Sequence, residues 1–179
     1  MNIRSADVTD LSELAEFART TYIDAYKPDV ALARLLEHTQ THMSDESFTI
    51  MFQADTFYLA FDASELVGFI QVGKVDHSYQ QYVQNFDAAG SEIRRLYVLG
   101  AFQNAGIGAQ LMEYSDHDPL ILTSHITYLT TWEANARAQH LYHKHGFNKV
   151  GQFPEYDEAG KLSGYEYILA RSNRVDHKE

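Results

Sequence analysis

The chain of 179 residues contains no cysteine and only three prolines. Without thiols it has no disulfide, no cysteine nucleophile and no cysteine-ligated metal, so stability must come from a packed core. Cations are also scarce. Lys and Arg number 14 against 25 Asp and Glu, for a formal net charge of −11 and a pI near 5.2. That balance repels nucleic acid and anionic membrane at long range and favours cationic partners, although many soluble chains are acidic for no such reason. No apolar run approaches the roughly 20 residues that cross a bilayer, and Met1 to Asp7 has no apolar signal core. The expectation is a cytoplasmic protein with neither nucleic acid nor membrane as partner. Core material is abundant, at 45% hydrophobic and 13% aromatic residues. That is enough for a single domain over 1–179, with a frayed polar tail from Arg171. No repeat or low-complexity segment is present.

Asn2 to Ser5 reads as a short strand. A helix from about Asp10 to Tyr22 follows, started by Thr9 or Asp10 with Glu13 completing a capping box. Leu11, Leu14, Ala15, Ala18 and Tyr22 fall at three- and four-residue steps and give it one buried face. Pro28 and Asp29 punctuate, Val30 to His42 makes a second helix carrying Leu32, Leu35 and Leu36, and Ser44 to Ser47 opens a third with Phe48, Met51 and Phe52 inward. Phe57 to Phe61 and Leu66 to Val75 form a hairpin around Asp62 to Glu65. Asp76 to Ser91 lacks periodicity. It reads as a loop with one helical turn, either functional or a mobile surface insert.

The stretch with the most chemistry begins at Glu92. An apolar, β-prone run through Ile93, Leu96, Tyr97, Val98 and Leu99 stops at Gly100, and Gly106-Ile107-Gly108 then opens a helical segment, Ala109 to Tyr114. Two glycines at a helix start let backbone N–H groups approach a bulky anion, and the helix dipole adds partial positive charge there; pyrophosphate suits such a site. A helix start that needs small residues only for packing is the competing reading. No Gly-Lys-Ser/Thr follows, so this is not a Walker loop, and Gly100 is too far ahead for the full dinucleotide fingerprint. Ser115-Asp116-His117-Asp118-Pro119 then shortens or kinks the helix, because Pro119 lacks an N–H and late acids oppose the dipole.

Leu120 to Leu122 resume apolar character, and Ile126 to Trp132 is the next strand. Asn135 then caps a helix from about Ala136 to His145, which Gly146 stops. Phe147 to Phe153 and Gly164 to Ala170 close the chain as an antiparallel pair around a polar turn at Asp157 to Lys161. In its second strand Tyr165, Tyr167 and Leu169 alternate with Glu166, Ile168 and Ala170. His140, His143 and His145 cluster, but His145 cannot easily share a face with the other two and no carboxylate completes a set, so no metal is expected.

Gln103-x-x-Gly106-x-Gly108 followed by Asn135-x-x-Ala138-x-x-x-Tyr142-x-x-x-Gly146-Phe147 resembles the paired signatures of the Gcn5-related N-acetyltransferase (GNAT) superfamily, in their order and spacing. Trp132-Glu133 ahead of Asn135 looks most like the bacterial spermidine/spermine acetyltransferases. The resemblance implies an α/β fold with a mixed, mostly antiparallel sheet of about seven strands flanked by about four helices. It also implies acetyl-CoA as co-substrate, no metal, and acetyl transfer to a primary amine of a small molecule, a polyamine first. Peptide or protein acetylation and a non-catalytic acyl-CoA sensor are the alternatives, and a homodimer is open because the superfamily is frequently dimeric.

By resemblance, Leu96, Tyr97, Val98, Gln103, Asn104, Ala105, Gly106, Ile107, Gly108 and Ala109 bind the cofactor, with the Val98 N–H facing the thioester carbonyl. Asn135 and Ala138 meet the pantetheine arm, while Tyr142 either protonates the leaving thiolate or only packs on CoA. Asn135 also reads as a plain cap. Glu92 takes the amine proton, directly or through water, or is a strand-end surface carboxylate; Glu133 is a second candidate, and a site that binds the neutral amine needs no base. Tyr22, Asp24, Tyr26, Asp76, Tyr97, Trp132 and Glu133 are the candidate acceptor pocket, since carboxylates and aromatic faces suit an ammonium group. Two departures stand out: Asn104 and Ala105 lie where relatives often carry a basic residue, and the Asp116 to Pro119 break is expected beneath the pyrophosphate site.

Overall fold

A computed structural model describes residues 1–27, 30–157 and 159–173. The expected punctuation at Pro28 and Asp29, Glu158 in the closing turn, and the tail over 174–179 lie outside the described residues. The chain divides into two compact units, Met1–Gln71 with Arg95–Ser115, and Val72–Arg94 with the chain from Asp116 onward. Strands β1 (Asn2–Ser5), β2 (Thr56–Asp62), β3 (Glu65–Lys74), β4 (Ser91–Val98), β5 (Ile126–Trp132), β6 (Asn148–Tyr156) and β7 (Leu162–Ser172) form one seven-stranded sheet in the order β1-β2-β3-β4-β5-β7-β6. The sheet is mixed, because β4 runs parallel to β5 while β1/β2, β5/β7 and β6/β7 are antiparallel. This is the α/β arrangement expected, with six α-helices rather than about four among the described residues: α1 (Leu11–Tyr26), α2 (Leu32–His42), α3 (Asp45–Ala54), α4 (Ile107–Ser115), α5 (Pro119–Thr123) and α6 (Ala136–Lys144).

In the first unit, Leu14, Ala15 and Ala18 of α1 are fully buried and Phe17 joins them, so the stripe read from three- and four-residue steps is the packed face. They meet Met43, Phe48, Phe57, Leu59, Leu66 and Phe69 in one apolar cluster, with Met51 and Phe52 against it as expected. Two local readings need correction. The capping box lies three residues earlier than expected: the Thr9 N–H donates to Asp7 Oδ1 and the Asp7 N–H to Asp10 Oδ2, both at 2.8 Å. Asp10 wins that role over Glu13 because the Arg4 guanidinium holds both of its oxygens at 2.7 Å. In α2 only Leu35 and Thr39 are buried, an i, i+4 pair; Leu32 and Leu36 are 57% and 42% exposed, so the helix turns a narrower face inward than its leucines suggested.

In the second unit, Val75, Tyr79, Val83, Tyr128 and Ile168 form the core. The irregular stretch after Asp76 is therefore no mobile insert. Asp76 caps a short 3-10 turn, His77–Gln81, and Tyr79 and Val83 anchor it. The Tyr128 hydroxyl accepts the Asp87 N–H at 2.9 Å. A Cβ on Gly151 would run into the Tyr82 carbonyl, so glycine is needed there for close backbone approach. The α4 helix is short rather than kinked. Asp118 accepts the Leu120 N–H at 2.8 Å and starts α5, with Pro119 at its first position where no N–H is required. Asp116 is tied to Arg171, whose guanidinium lies 4.9 Å from the Phe147 ring centroid. Arg171 and Ser172 thus belong to β7 and not to a frayed tail.

Candidate active site

The first unit presents backbone donors. The Leu99 N–H donates to the Val67 carbonyl at 3.0 Å, and a Cβ built on Gly68 would stand 2.9 Å from the Tyr97 carbonyl oxygen. Residues 97 and 99 therefore direct their peptide groups toward β3. Peptide groups alternate along a strand, so those of Val98 point the other way. Its carbonyl accepts Gln103 Nε2 at 3.2 Å, which pins the turn to the strand end, and its N–H points to the same side, away from β3. A 3-10 turn, Gly100–Phe102, leads on, and Asn104 and Gly106 adopt positive φ of 66° and 81°. Gly106 is demanded by that backbone angle and not by crowding, since a Cβ there would meet only the Gln110 side-chain amide, at 3.9 Å.

The Gln110 N–H donates to the Gly106 carbonyl at 3.1 Å, the first such bond of α4. The N–H groups of Ile107, Gly108 and Ala109 precede the helical ladder and face forward at the positive end of the helix. From Gly100 to Ala109 no side chain carries a formal charge. The donors of this stretch are peptide N–H groups and the side-chain amides of Gln103 and Asn104, and it holds no acidic residue. The break after Ser115 comes at the C-terminal end of the nine-residue α4, whose N-terminus opens at this turn.

The second unit presents buried carboxylates. Glu92 is 3% exposed, which rules out a surface strand-end role. The Tyr79 hydroxyl donates to its Oε1 at 2.7 Å and the Asp76 N–H to its Oε2 at 3.0 Å, with the Arg94 guanidinium 3.6 Å from Oε2. Burial pushes the Glu92 pKa up, and these donors hold it back. Tyr79 is pushed up strongly by burial and by the Glu92 charge. The Thr130 hydroxyl works against the rise at Tyr79 and at Glu166. Glu166, desolvated and facing Glu155, has its pKa raised to about 7.

Comparison with known proteins places this geometry. The acetyltransferase (GNAT) domain family matches residues 53–149, more than half of the chain. The chain belongs to the GNAT acetyltransferase family. It is thus an N-acetyltransferase whose co-substrate is acetyl-CoA, and the uncharged turn with its forward N–H groups suits the pyrophosphate of that molecule. An uncharacterized N-acetyltransferase in the pepI 3' region of Lactobacillus delbrueckii subsp. lactis is 27% identical over 148 residues, 80% of this chain and 82% of the relative. Among solved structures, the PaiA N-acetyltransferase of Thermoplasma acidophilum in complex with coenzyme A is similar in fold. It has a TM-score of 0.72 and 20% identity over 96% of this chain and 98% of that one. The ribosomal-protein-S18-alanine N-acetyltransferase of Escherichia coli has a TM-score of 0.68 and 15% identity, covering 99% and 97%.

On this GNAT frame the expected residues fall into separate groups. Tyr22 stacks on His38 with ring centroids 4.8 Å apart and meets Tyr26 at 4.7 Å, while Tyr97 packs edge-on against Phe69 at 5.3 Å. Asp24 is exposed and its carboxylate lies 2.8 Å from Lys27 Nζ. Burial lowers the His38 pKa, with His42, Arg95 and Arg34 adding to the effect, so this aromatic group has cationic neighbours. In the second unit Trp132 and Glu133 crowd Gly164, and Glu133 Oε1 accepts the Tyr165 N–H at 3.0 Å. That bond ties β5 to β7 and gives Glu133 a structural task. Asn135 accepts the Ala138 N–H at 3.1 Å as the α6 cap, and Gln139, missed in the sequence, donates to the Trp132 and Glu133 carbonyls at 3.2 and 2.8 Å. Tyr142 is buried and meets Phe147 edge-on at 6.3 Å. Tyr79, Thr130 and Glu166 were also missed; a lone acid between Tyr165 and Tyr167 was the one available signal.

No group of three or more metal-ligating side chains occurs among the described residues. Nor is any described helix long and apolar enough to cross a membrane.

Proposed function

We propose that this GNAT enzyme acetylates a primary amine of a small cationic molecule, with a polyamine as the first candidate, and that both units serve one such domain. The observation that carries the reading is Glu92: a buried carboxylate with raised pKa, held by Tyr79 and the Asp76 N–H, is a base suited to an ammonium group. Asp76, Glu155 and Glu166 add negative charge within the same unit, which favours a cation over a neutral or anionic acceptor.

In this scheme the amine gives its proton to Glu92, and its lone pair attacks the thioester carbonyl. The Val98 N–H, which strand alternation turns away from β3, stabilises the resulting oxyanion. Collapse breaks the C–S bond and Tyr142 protonates the departing thiolate; the phenolate left on Tyr142 takes the remaining proton from the nitrogen as the neutral amide forms. Leu96 and Tyr97 flank the pantetheine beside Val98. The turn from Gln103 through Asn104, Ala105, Gly106, Ile107 and Gly108 to Ala109 holds the pyrophosphate, and Asn135 and Ala138 meet the arm. Tyr22, Tyr26, Asp24, Asp76, Trp132 and Glu133 are the side chains to test as acceptor contacts.

The deciding experiment follows release of free CoA thiol from acetyl-CoA with spermidine, spermine, aminoglycosides, amino acids and short peptides. Turnover with polyamines supports the reading. Turnover with peptides alone overturns the small-molecule acceptor, and tight acetyl-CoA binding without any acceptor points to a sensor.

A further inference from the structure

The first unit holds a cation whose neighbours are all neutral. Arg95, half-buried on β4, donates from Nη1 to the Gln71 side-chain oxygen at 2.6 Å, and the same nitrogen lies 3.5 Å from the Met51 sulfur. Its guanidinium carbon stands 5.9 Å from the centre of the Phe48 ring. Tyr97 is the remaining polar neighbour, and burial raises its pKa, so it too is uncharged. Arg4, Arg19, Arg94 and Arg171 each face an acid: Asp10, Asp45, Glu92 and Asp116. Among the described residues no carboxylate comes within ion-pair distance of Arg95. An acid does stand one step away. Gln71 is wholly buried on β3, and its Nε2 donates to Asp55 Oδ2 at 2.6 Å. The amide therefore sits between Asp55 and the guanidinium, held from both sides, and all of these residues belong to the first unit.

We propose that Arg95 anchors a carboxylate, carried by the amine acceptor or by a separate small acid, and that Gln71 and Asp55 position it. A direct pair with Asp55 would neutralise the cation. The interposed amide fixes the direction of the guanidinium and leaves its charge, which is the support that recognition of a carboxylate by a planar fork needs. A half-buried cation without a counter-ion is costly to fold around, so a ligand that supplies the missing charge is favoured there. His38 agrees with an uncompensated charge, since Arg95 adds to the burial and the His42 charge that lower its pKa. Where the carboxylate is the acceptor's own, the inference rests on the reading of the acceptor as a small cation. It narrows that reading to amines such as basic amino acids, which keep a net positive charge beside a carboxylate.

The test uses the full chain and two amines that differ by one carboxylate, lysine and cadaverine, with acetate as the bare acid. The guanidinium signals of Arg95 in 15N NMR, identified by their loss in Arg95→Lys, should move and saturate with lysine or acetate and stay in place with cadaverine. No response to lysine or acetate up to about 50 mM overturns the site, because a charge-assisted pair that binds at all saturates by then. An equal response to cadaverine overturns it too. Kinetics identify the source of the acid. An acceptor carboxylate predicts that Arg95→Lys lowers the lysine-to-cadaverine ratio of kcat/KM about tenfold, since the substitution keeps the charge and loses the fork. An unmoved ratio, or no turnover of either amine, beside an Arg95 signal that answers acetate assigns a separate acid. The exchange of Asp55→Asn with Gln71→Glu tests the two positioning residues, and it serves if Arg95→Lys does not fold. It keeps both hydrogen bonds and moves the acid onto Arg95, so the response to acetate should vanish with the guanidinium still held. A retained response would mean that the neutral surroundings of Arg95 do not make the site. Failure of every amine in the panel beside a saturable acetate response would count against the acceptor reading and leave this site standing.

Discussion

From Gly100 to Ala109 the chain carries no charged side chain, only peptide N–H groups and the amides of Gln103 and Asn104. In the second unit, by contrast, desolvation raises the pKa values of two carboxylates, the buried Glu92 and the half-buried Glu166. The first region works through backbone direction, set by φ and by where α4 begins, and tolerates many side chains. The second works through desolvation and specific hydrogen bonds, and tolerates few. Cofactor affinity should therefore respond to backbone-altering changes in the turn, and turnover to single-atom changes on the buried face.

The largest effect that sharpens this contrast is expected at Tyr142. Tyr142→Phe removes one oxygen and should lower kcat about 100-fold while acetyl-CoA affinity, read by calorimetry, stays within about twofold. Equal losses in both would make Tyr142 a packing residue. In the turn, Gly106→Val forces a β-branched side chain to a φ of 81° and should weaken acetyl-CoA about tenfold with kcat at saturation kept. Ala105→Arg should do the reverse severalfold, and lose that gain in high salt. An unchanged affinity in both variants would break the backbone account of the turn.

Glu166 gives a stability prediction with a defined sign. Its folded pKa of about 7 exceeds the ordinary glutamate value, so folding favours the protonated acid. That contribution is present at low pH and is lost as pH rises from about 4.5 through about 7. Glu166→Gln should accordingly gain stability relative to wild type between pH 5 and 8, by roughly 2 kcal/mol after allowance for partial solvent access, as read by urea unfolding at the two pH values. A pH-independent difference would mean that Glu166 is not desolvated. The smallest effect should come from Asn135→Ala, about 1 kcal/mol from the lost α6 cap, with kcat and acetyl-CoA affinity separating that role from a cofactor contact.

Much of the fold was legible. Leu14, Ala15 and Ala18 read as an inward stripe because a helix repeats every 3.6 residues, and the hairpin ending in β3 read as strands from its β-branched and aromatic run. The turn was legible too, since a positive φ and close approach to an anion both demand glycine. What failed depended on partners distant in the chain. Glu13 looked like the capping acid until Arg4 engaged Asp10, the leucines of α2 outnumbered the positions that a neighbour covers, and Arg171 looked like tail until Asp116 held it in β7.

Glu92 was readable as a candidate base, but Tyr79 was not readable as its partner, because its hydroxyl reaches Glu92 only once the turn at His77–Gln81 packs against the strand. By itself the sequence determined the family signatures, the strand-turn-helix with its backbone donors, and the acidic balance, because local spacing and composition carry these. Tertiary structure alone decided which carboxylates lose their water and that the Tyr79 hydroxyl meets Glu92, because desolvation and hydrogen-bond geometry exist only after the strands have paired.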